Sequence, residues 1–296
     1  MLTVNGGETW TAVGPGNSAE MDFRDVHAWD ESTAVIMAAG DPDQIFRTED
    51  GGKTWTSVFL HSDKDAFLDG IAFDNEGVNG WMMGDPLDGH LTLAKTSDSG
   101  KTWTLLSKDV APKLNEGVAG FAASGTNLAV LPNGKIIVGL GGAGCPNGKA
   151  QVTASLDGKT WTTTSTPIQS GEAAGIFSIA AVDDTGQRLV AVGGDYLQAD
   201  GKSNNCLFSQ DGGSNWTLIT EATPSGYRSV VATALIDGKT VVIAAGPNGT
   251  DRSDDYGKTW QRVSETGFHT LSFVPGSDIG WAAGSDGRIS RWTSRN

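Results

Sequence analysis

One eight-residue pattern recurs along this 296-residue chain and restricts it to a repeat fold. It reads Thr48-Glu49-Asp50-Gly51-Gly52-Lys53-Thr54-Trp55, and returns at residues 96–103 with Asp98, at 209–216 with Asp211 and at 253–260 with Asp255. Two looser copies lie at residues 3–10, where Asn5 takes the Asp place, and at 155–161, one residue shorter, with Asp157. The residue types are those of a turn. A short acid such as Asp50 accepts hydrogen bonds from backbone amides a little further on. Gly52 takes a positive φ at little cost, and Trp55 starts the next strand with a large flat face for a neighbouring sheet. Six dispersed copies cannot share one catalytic centre. Asp50, Trp55, Asp98, Trp103, Asp157, Trp161, Asp211, Trp216, Asp255 and Trp260 are therefore read as structural.

The boxed tryptophans, at 10, 55, 103, 161, 216 and 260, are separated by 45, 48, 58, 55 and 44 residues. Each interval holds three short strand-like segments, and the box leads into a fourth. Four strands per 40 to 60 residues describe a propeller blade. First strands and boxes both count to six. The expected fold is all-β: one domain over residues 1–296, a six-bladed propeller of four-stranded antiparallel blades. Residues 9–13 form a fourth strand with no partners before it, and residues 268–292 form three strands with no box after them. Pairing the two closes the ring and covers an exposed edge.

Composition agrees and excludes other classes. The 41 glycines and 10 tryptophans, with no long 3.6-period run of helix formers, suit short strands and tight turns. A net charge of −14 repels phosphate backbones and anionic membranes, so no nucleic-acid partner is expected. No stretch of 18 apolar residues provides a membrane span, and a soluble monomer is expected.

The repeated Ser/Thr-x-Asp-x-Gly-x-Thr-Trp resembles the Asp-box (BNR) repeat of β-propellers. Five further segments, Phe23-Arg24-Asp25-Val26, Gly120-Phe121-Ala122-Ala123-Ser124-Gly125-Thr126, Gly175-Ile176-Phe177-Ser178, Gly193-Gly194-Asp195-Tyr196 and Pro224-Ser225-Gly226-Tyr227-Arg228-Ser229, resemble a bacterial group of such propellers. That group is often labelled "oxidoreductase" without a shown reaction, and is similar to the photosystem II assembly and stability factors. The resemblance implies a binding or assembly role. It also implies seven blades, so the alternative to a six-bladed ring is a family member whose first blade is missing here.

In a four-strand meander the start of the innermost strand and the end of the second share one face, the mouth, and the boxes lie on the other. Aligning first strands on Val26, Ile71, Leu128, Ile179, Val230 and Leu271 places Arg24, Asp69, Thr126, Phe177, Arg228 and His269 at the mouth. Arg228, His269 and Arg24 fall on adjacent blades, a basic arc suited to a carboxylate, sulfate or phosphate. Pairing of each Arg with a local acid such as Asp22 or Asp25 is the other reading. Second-strand ends add Asp41, Asp85, Asp195 and Tyr196; long connections add Glu116 and Glu172, and Tyr227 adjoins Arg228.

Two function classes follow. The first is a non-catalytic binding or assembly propeller that holds a protein segment or small acidic ligand at its mouth. The second is a sialidase-like glycoside hydrolase or lyase acting on an acidic glycan, with two mouth carboxylates as acid and base. Sialidases use three arginines on a carboxylate. Here only Arg24 and Arg228 occupy equivalent strand starts, and Tyr227 matches the sialidase tyrosine by no motif. Convergence of Arg24, Arg228 and two carboxylates on one pocket would separate the classes.

No cofactor is expected. There is no Gly-x-Gly-x-x-Gly between a strand and a helix, and Gly139-Leu140-Gly141-Gly142-Ala143-Gly144 ends a strand. The four histidines lack metal-ligand spacing, so no metal is expected either. Cys145 and Cys206 fall on the mouth face of adjacent blades. They form either a disulfide or two buried free thiols. A bridge favours an exported protein whose signal segment is not in this sequence, and free thiols leave a cytosolic protein open.

Overall fold

The computed structural model describes residues 1–40, 42–202 and 204–292; Asp41, named above, lies outside them. Among these residues the chain is strand, turn and three short 3-10 segments. Five four-stranded sheets and one three-stranded sheet follow one another, each an antiparallel meander of consecutive strands. Their innermost strands are Asp22–Ala28, Leu68–Phe73, Leu128–Val130, Ala174–Ala181, Val230–Ile236 and Thr270–Phe273. The six-bladed propeller is observed. No helix among the described residues is long and apolar enough to cross a membrane.

Packing follows from the period of two along each strand. In Ile136–Leu140, the second strand of sheet three, Ile136, Val138 and Leu140 pack toward sheet two, against Met83, Leu91 and Leu93. Ile137, between them, packs toward sheet four with Ile176, Ile179 and Leu189. Both faces of an interior sheet are covered, so its second strand is apolar throughout.

The boxes are built as their residue types require. Asp50 Oδ1 accepts from Thr54 N at 2.9 Å and from Thr48 Oγ1 at 2.9 Å, and its Oδ2 accepts from Thr54 Oγ1 at 2.7 Å. Thr48 Oγ1 in turn accepts from Gly52 N at 3.0 Å. Asp98, Asp211 and Asp255 make the same set with their own turns. These donors stabilise the carboxylate, and they hold Asp50 at about 2, with Asp98 and Asp157 also at about 2.

The N-terminal residues close the ring in a different way from that expected. Sheet six holds three strands, and no fourth joins it among the described residues. Residues 3–10 instead form a complete box corner: Thr9 N donates to Asn5 Oδ1 at 3.0 Å and Gly7 N to Thr3 Oγ1 at 2.8 Å. The backbone bridge Leu2↔Thr11 spans nine residues, the same span as Arg47↔Thr56, Lys95↔Thr104, Phe208↔Thr217 and Arg252↔Gln261. Trp10 meets Trp281 edge to face at 5.6 Å, as Trp161 of sheet three meets Trp81 of sheet two at 5.9 Å. Gly7 and Gly158 lie equally hard against those two tryptophans, leaving no room for a Cβ at either place. The corner therefore stands one step further round than sheet six, as the box of sheet three stands beyond sheet two. On its other side Trp55 Nε1 donates to Val13 O. Among the described residues, sheets six and one are joined through this corner. A cavity of about 540 Å³ opens inside the ring, lined by Met1, Trp10, Val26 and Leu271 on this side and by Ile71, Leu128 and Ile179 across from it, and Val26 on the innermost strand is 63% exposed.

Candidate functional site

The mouth is where inner strands begin, and three of them begin with an irregularity. The pairing register slips between Phe23 and Asp25, between Leu68 and Gly70, and between Ile176 and Ser178. The residues left over are Arg24, Asp69 and Phe177, three of the six that the strand alignment selects. A bulge turns its extra side chain out of the regular alternation, so each of the three is re-aimed at the strand entrance.

The basic arc does not form. Arg228 is 0% exposed. Its Nε donates to Asp251 Oδ2 at 2.6 Å, and its Nη1 donates to Tyr227 O at 2.8 Å and to Asn248 Oδ1 at 2.7 Å. Asp251, also fully buried, accepts further from Ser225 N and Oγ. This arginine is a structural tie between the lead-in to sheet five and its third strand, and it offers no charge to the mouth. Arg24 stays at the surface, paired with Asp22 and lying 5.4 Å over the Phe67 ring. His269 is exposed, with Nε2 2.9 Å from Ser285 Oγ. Glu116 and Glu172 stand exposed on separate loops.

The centre of the mouth is filled by loop 120–126, which leads into sheet three. Phe121 stacks on Phe177 with ring centroids 4.2 Å apart. Gly141 and Gly175 border that ring so closely that a Cβ at either would lie under 3 Å from it. This gives Gly141 of the 139–144 run its purpose, while Gly142 and Gly144 lie as hard against the backbone of residues 116–117. Ser124 Oγ donates to Ser229 O at 2.9 Å across the ring, and Thr126 Oγ1 meets Ser178 Oγ at 2.6 Å. Ser229 Oγ continues the chain to His269 O at 2.7 Å. The loop is thus gripped from sheets four and five through neutral contacts.

Beside the plug lies an aromatic patch. Tyr227 meets Phe177 edge-on at 4.7 Å and Tyr196 does so at 6.2 Å. Tyr227 is buried, and that burial pushes its phenol up. Tyr196 is 47% and Leu197 75% exposed. Both project from a 3-10 turn, Tyr196–Gln198, that is firmly tied: Asp195 Oδ1 accepts from Leu197 N at 2.9 Å and Tyr196 N donates to Ala173 O at 3.1 Å. Leu197 and Phe121 escape a reading by charge and strand position. Leu197 is signalled only as an apolar residue after an acid at a strand end, and Phe121 only as part of the resembling segment at residues 120–126.

Under the plug, on the side of sheets one and two, lie carboxyl groups. Asp69 is 1% exposed and its Oδ2 has no hydrogen-bond partner. Burial, with Asp85 and Asp43 nearby, raises its pKa well above the carboxylate range against the opposing charge of Arg24. Asp85 Oδ1 accepts from Gly120 N at 2.9 Å, and burial raises Asp85 as well. Asp25 accepts from Ile71 N and Val26 N at 2.8 Å each, yet burial pushes it up to about 7.

The cysteines are both free and buried. Cys145 belongs to the core between sheets two and three, and Cys206 to the core between sheets four and five. Separate cores hold the two thiols, so the disulfide is not made. Among the described residues no group of three or more His, Cys, Asp or Glu is arranged to hold a metal ion.

No protein-family model and no curated protein matches the sequence. Similar solved structures are propellers. A GH74 xyloglucanase from Xanthomonas campestris superposes with a TM-score of 0.61 at 14% identity, over 96% of this chain and 46% of that one. An ancestral GH74 enzyme gives 0.60 at 16%, over 93% and 37%. This chain thus spans less than half of either glycosidase. YCF48 bound to D1 peptide gives 0.49 at 17% identity, over 93% and 94%, and YCF48 from Cyanidioschyzon merolae gives 0.48 at 17%, over 94% and 97%. At these identities the likeness is one of fold.

Proposed function

We propose that the protein is a binding propeller that receives an extended protein segment on its mouth face. One observation carries this reading. The plug occupies the centre of that face, with Tyr196 and Leu197 exposed on a rigid turn beside it. A rigid tyrosine with an adjacent leucine buries apolar area at low entropic cost, which is the economy of protein recognition. Cleavage of an acidic glycan would call on arginines that are engaged here: Arg228 is spent on Asp251, and Arg24 is paired with Asp22.

Panning a library of displayed linear peptides on the protein, then ranking hits on a Tyr196→Ala/Leu197→Ser variant, tests the reading. Enriched peptides are expected to bind the variant at least about tenfold more weakly. Peptides that bind both equally, or product release from sialosides or uronate glycans by the wild type, would overturn it.

A further inference from the structure

We infer that loop 120–126 is a proton-controlled plug, shut over the mouth while the carboxyl groups beneath it are neutral and released as they ionise. The inference does not depend on what the mouth receives. Two glycines of the loop rest directly on two carboxyls. A Cβ at Gly120 would lie 2.3 Å from Asp69 Oδ2, and one at Gly125 would lie 2.2 Å from Asp25 Oδ2. The loop itself, Gly-Phe-Ala-Ala-Ser-Gly-Thr, carries no ionisable side chain. It gives the carboxyls beneath it a single donor, Gly120 N, and that goes to Asp85. Asp69 Oδ2 is therefore sealed under backbone with nothing to bond, which is costly for an anion and much less so for an acid.

The surroundings do not repair this. Among the described residues, the ionisable groups on the packed elements are Asp22, Arg24 and His27 on the inner strand of sheet one, Asp43 in its second turn, and Asp85 at the end of the second strand of sheet two. The cation that faces Asp69 among them is Arg24, and it is shared with Asp22 at the surface. Burial pushes the neutral form of His27 forward, so it adds no charge near neutrality. The grips that hold the loop down, Phe121 on Phe177 and the hydroxyls of Ser124 and Thr126, are insensitive to pH.

Asp25, at about 7, and Asp69, raised well above the carboxylate range, hold protons when the loop is shut and ionise readily when it lifts into water. Closure is strongest below the ordinary carboxylate range and weakens as pH rises from that range through about 7. For each such group the shut-to-open ratio falls about tenfold per pH unit between its open and shut values.

Amide hydrogen exchange at pH 5, 6, 7 and 8, expressed as protection factors, reads this directly. Protection of residues 120–126 is expected to fall by about 10- to 100-fold from pH 5 to pH 8, while the inner strand Ala174–Ala181 stays constant. The Asp25→Asn/Asp69→Asn variant is expected to flatten the fall. Ser124→Ala is expected to lower loop protection at every pH and leave the slope alone. A wild-type loop with pH-independent protection, or a slope that survives the double substitution, overturns the plug. Should the double variant not fold, Asp69→Asn alone must show a shallower fall, and an unchanged slope in it counts against the inference.

Discussion

Asp50 keeps its charge because one turn aims an amide and two hydroxyls at it. Its pKa in the folded chain is depressed, so the stability it lends is present above the ordinary carboxylate pKa and is lost as pH falls through about 2. Five such residues act together. Acid unfolding should therefore develop between about pH 4 and pH 2, and Asp50→Asn should narrow the loss and lower the melting temperature by a few degrees at pH 7; an unchanged acid transition would refute the staple. Arg228 is the opposite case. Breaking its buried pair by Asp251→Asn or Arg228→Ala should cost about 3–5 kcal/mol, because the remaining charge has no water to return to. Denaturant unfolding measures it, and a loss under about 1 kcal/mol would show the pair to be dispensable. The two residues also differ in how far the sequence reveals them. The Asp and its donors lie within four residues, so a short pattern contains the whole interaction. Arg228 and Asp251 are 23 residues apart on different strands, and alignment locates the arginine without disclosing its partner.

At the level of elements, the plug and the N-terminal corner show how one sequence signal yields different amounts of structure. The box at residues 3–10 was legible even with Asn5 in the Asp place, because the turn depends on an oxygen acceptor and a glycine, both of which are kept. Its neighbour was not legible. Whether Trp10 completes sheet six or stands beyond it depends on which aromatic ring it meets, and Trp281 is 271 residues away. The glycine run at 139–144 likewise announces close approaches without naming the approaching groups, which are Phe121 at Gly141 and the backbone of residues 116–117 at Gly142 and Gly144. The corner's weight can be measured. Trp10→Ala should destabilise the protein by about 1–3 kcal/mol, from lost burial and the lost edge contact. A melting curve identical to wild type would mean that sheets six and one hold together by some other contact.

On the scale of the whole molecule, architecture was the most legible property and the mouth the least. Six spaced copies of a turn imply six similar sheets, and a chain that alternates apolar faces has few other ways to bury them. The mouth is assembled from strand entrances, and there a single bulge or a loop from the next sheet decides whether a side chain meets water. Alignment thus found Arg24, Asp69 and Phe177 at equivalent places, and could not tell that one is exposed, one sealed and one stacked. The corner between sheets six and one carries a consequence for unfolding. Five of the six junctions are broad sheet-to-sheet contacts, and at the remaining one the described residues show a tryptophan pair and one indole-to-carbonyl bond. A circular array with one weak coupling behaves as a linear array with two ends. Melting then spreads inward from sheets one and six, and the core between sheets three and four, furthest from both ends, is the last to be lost.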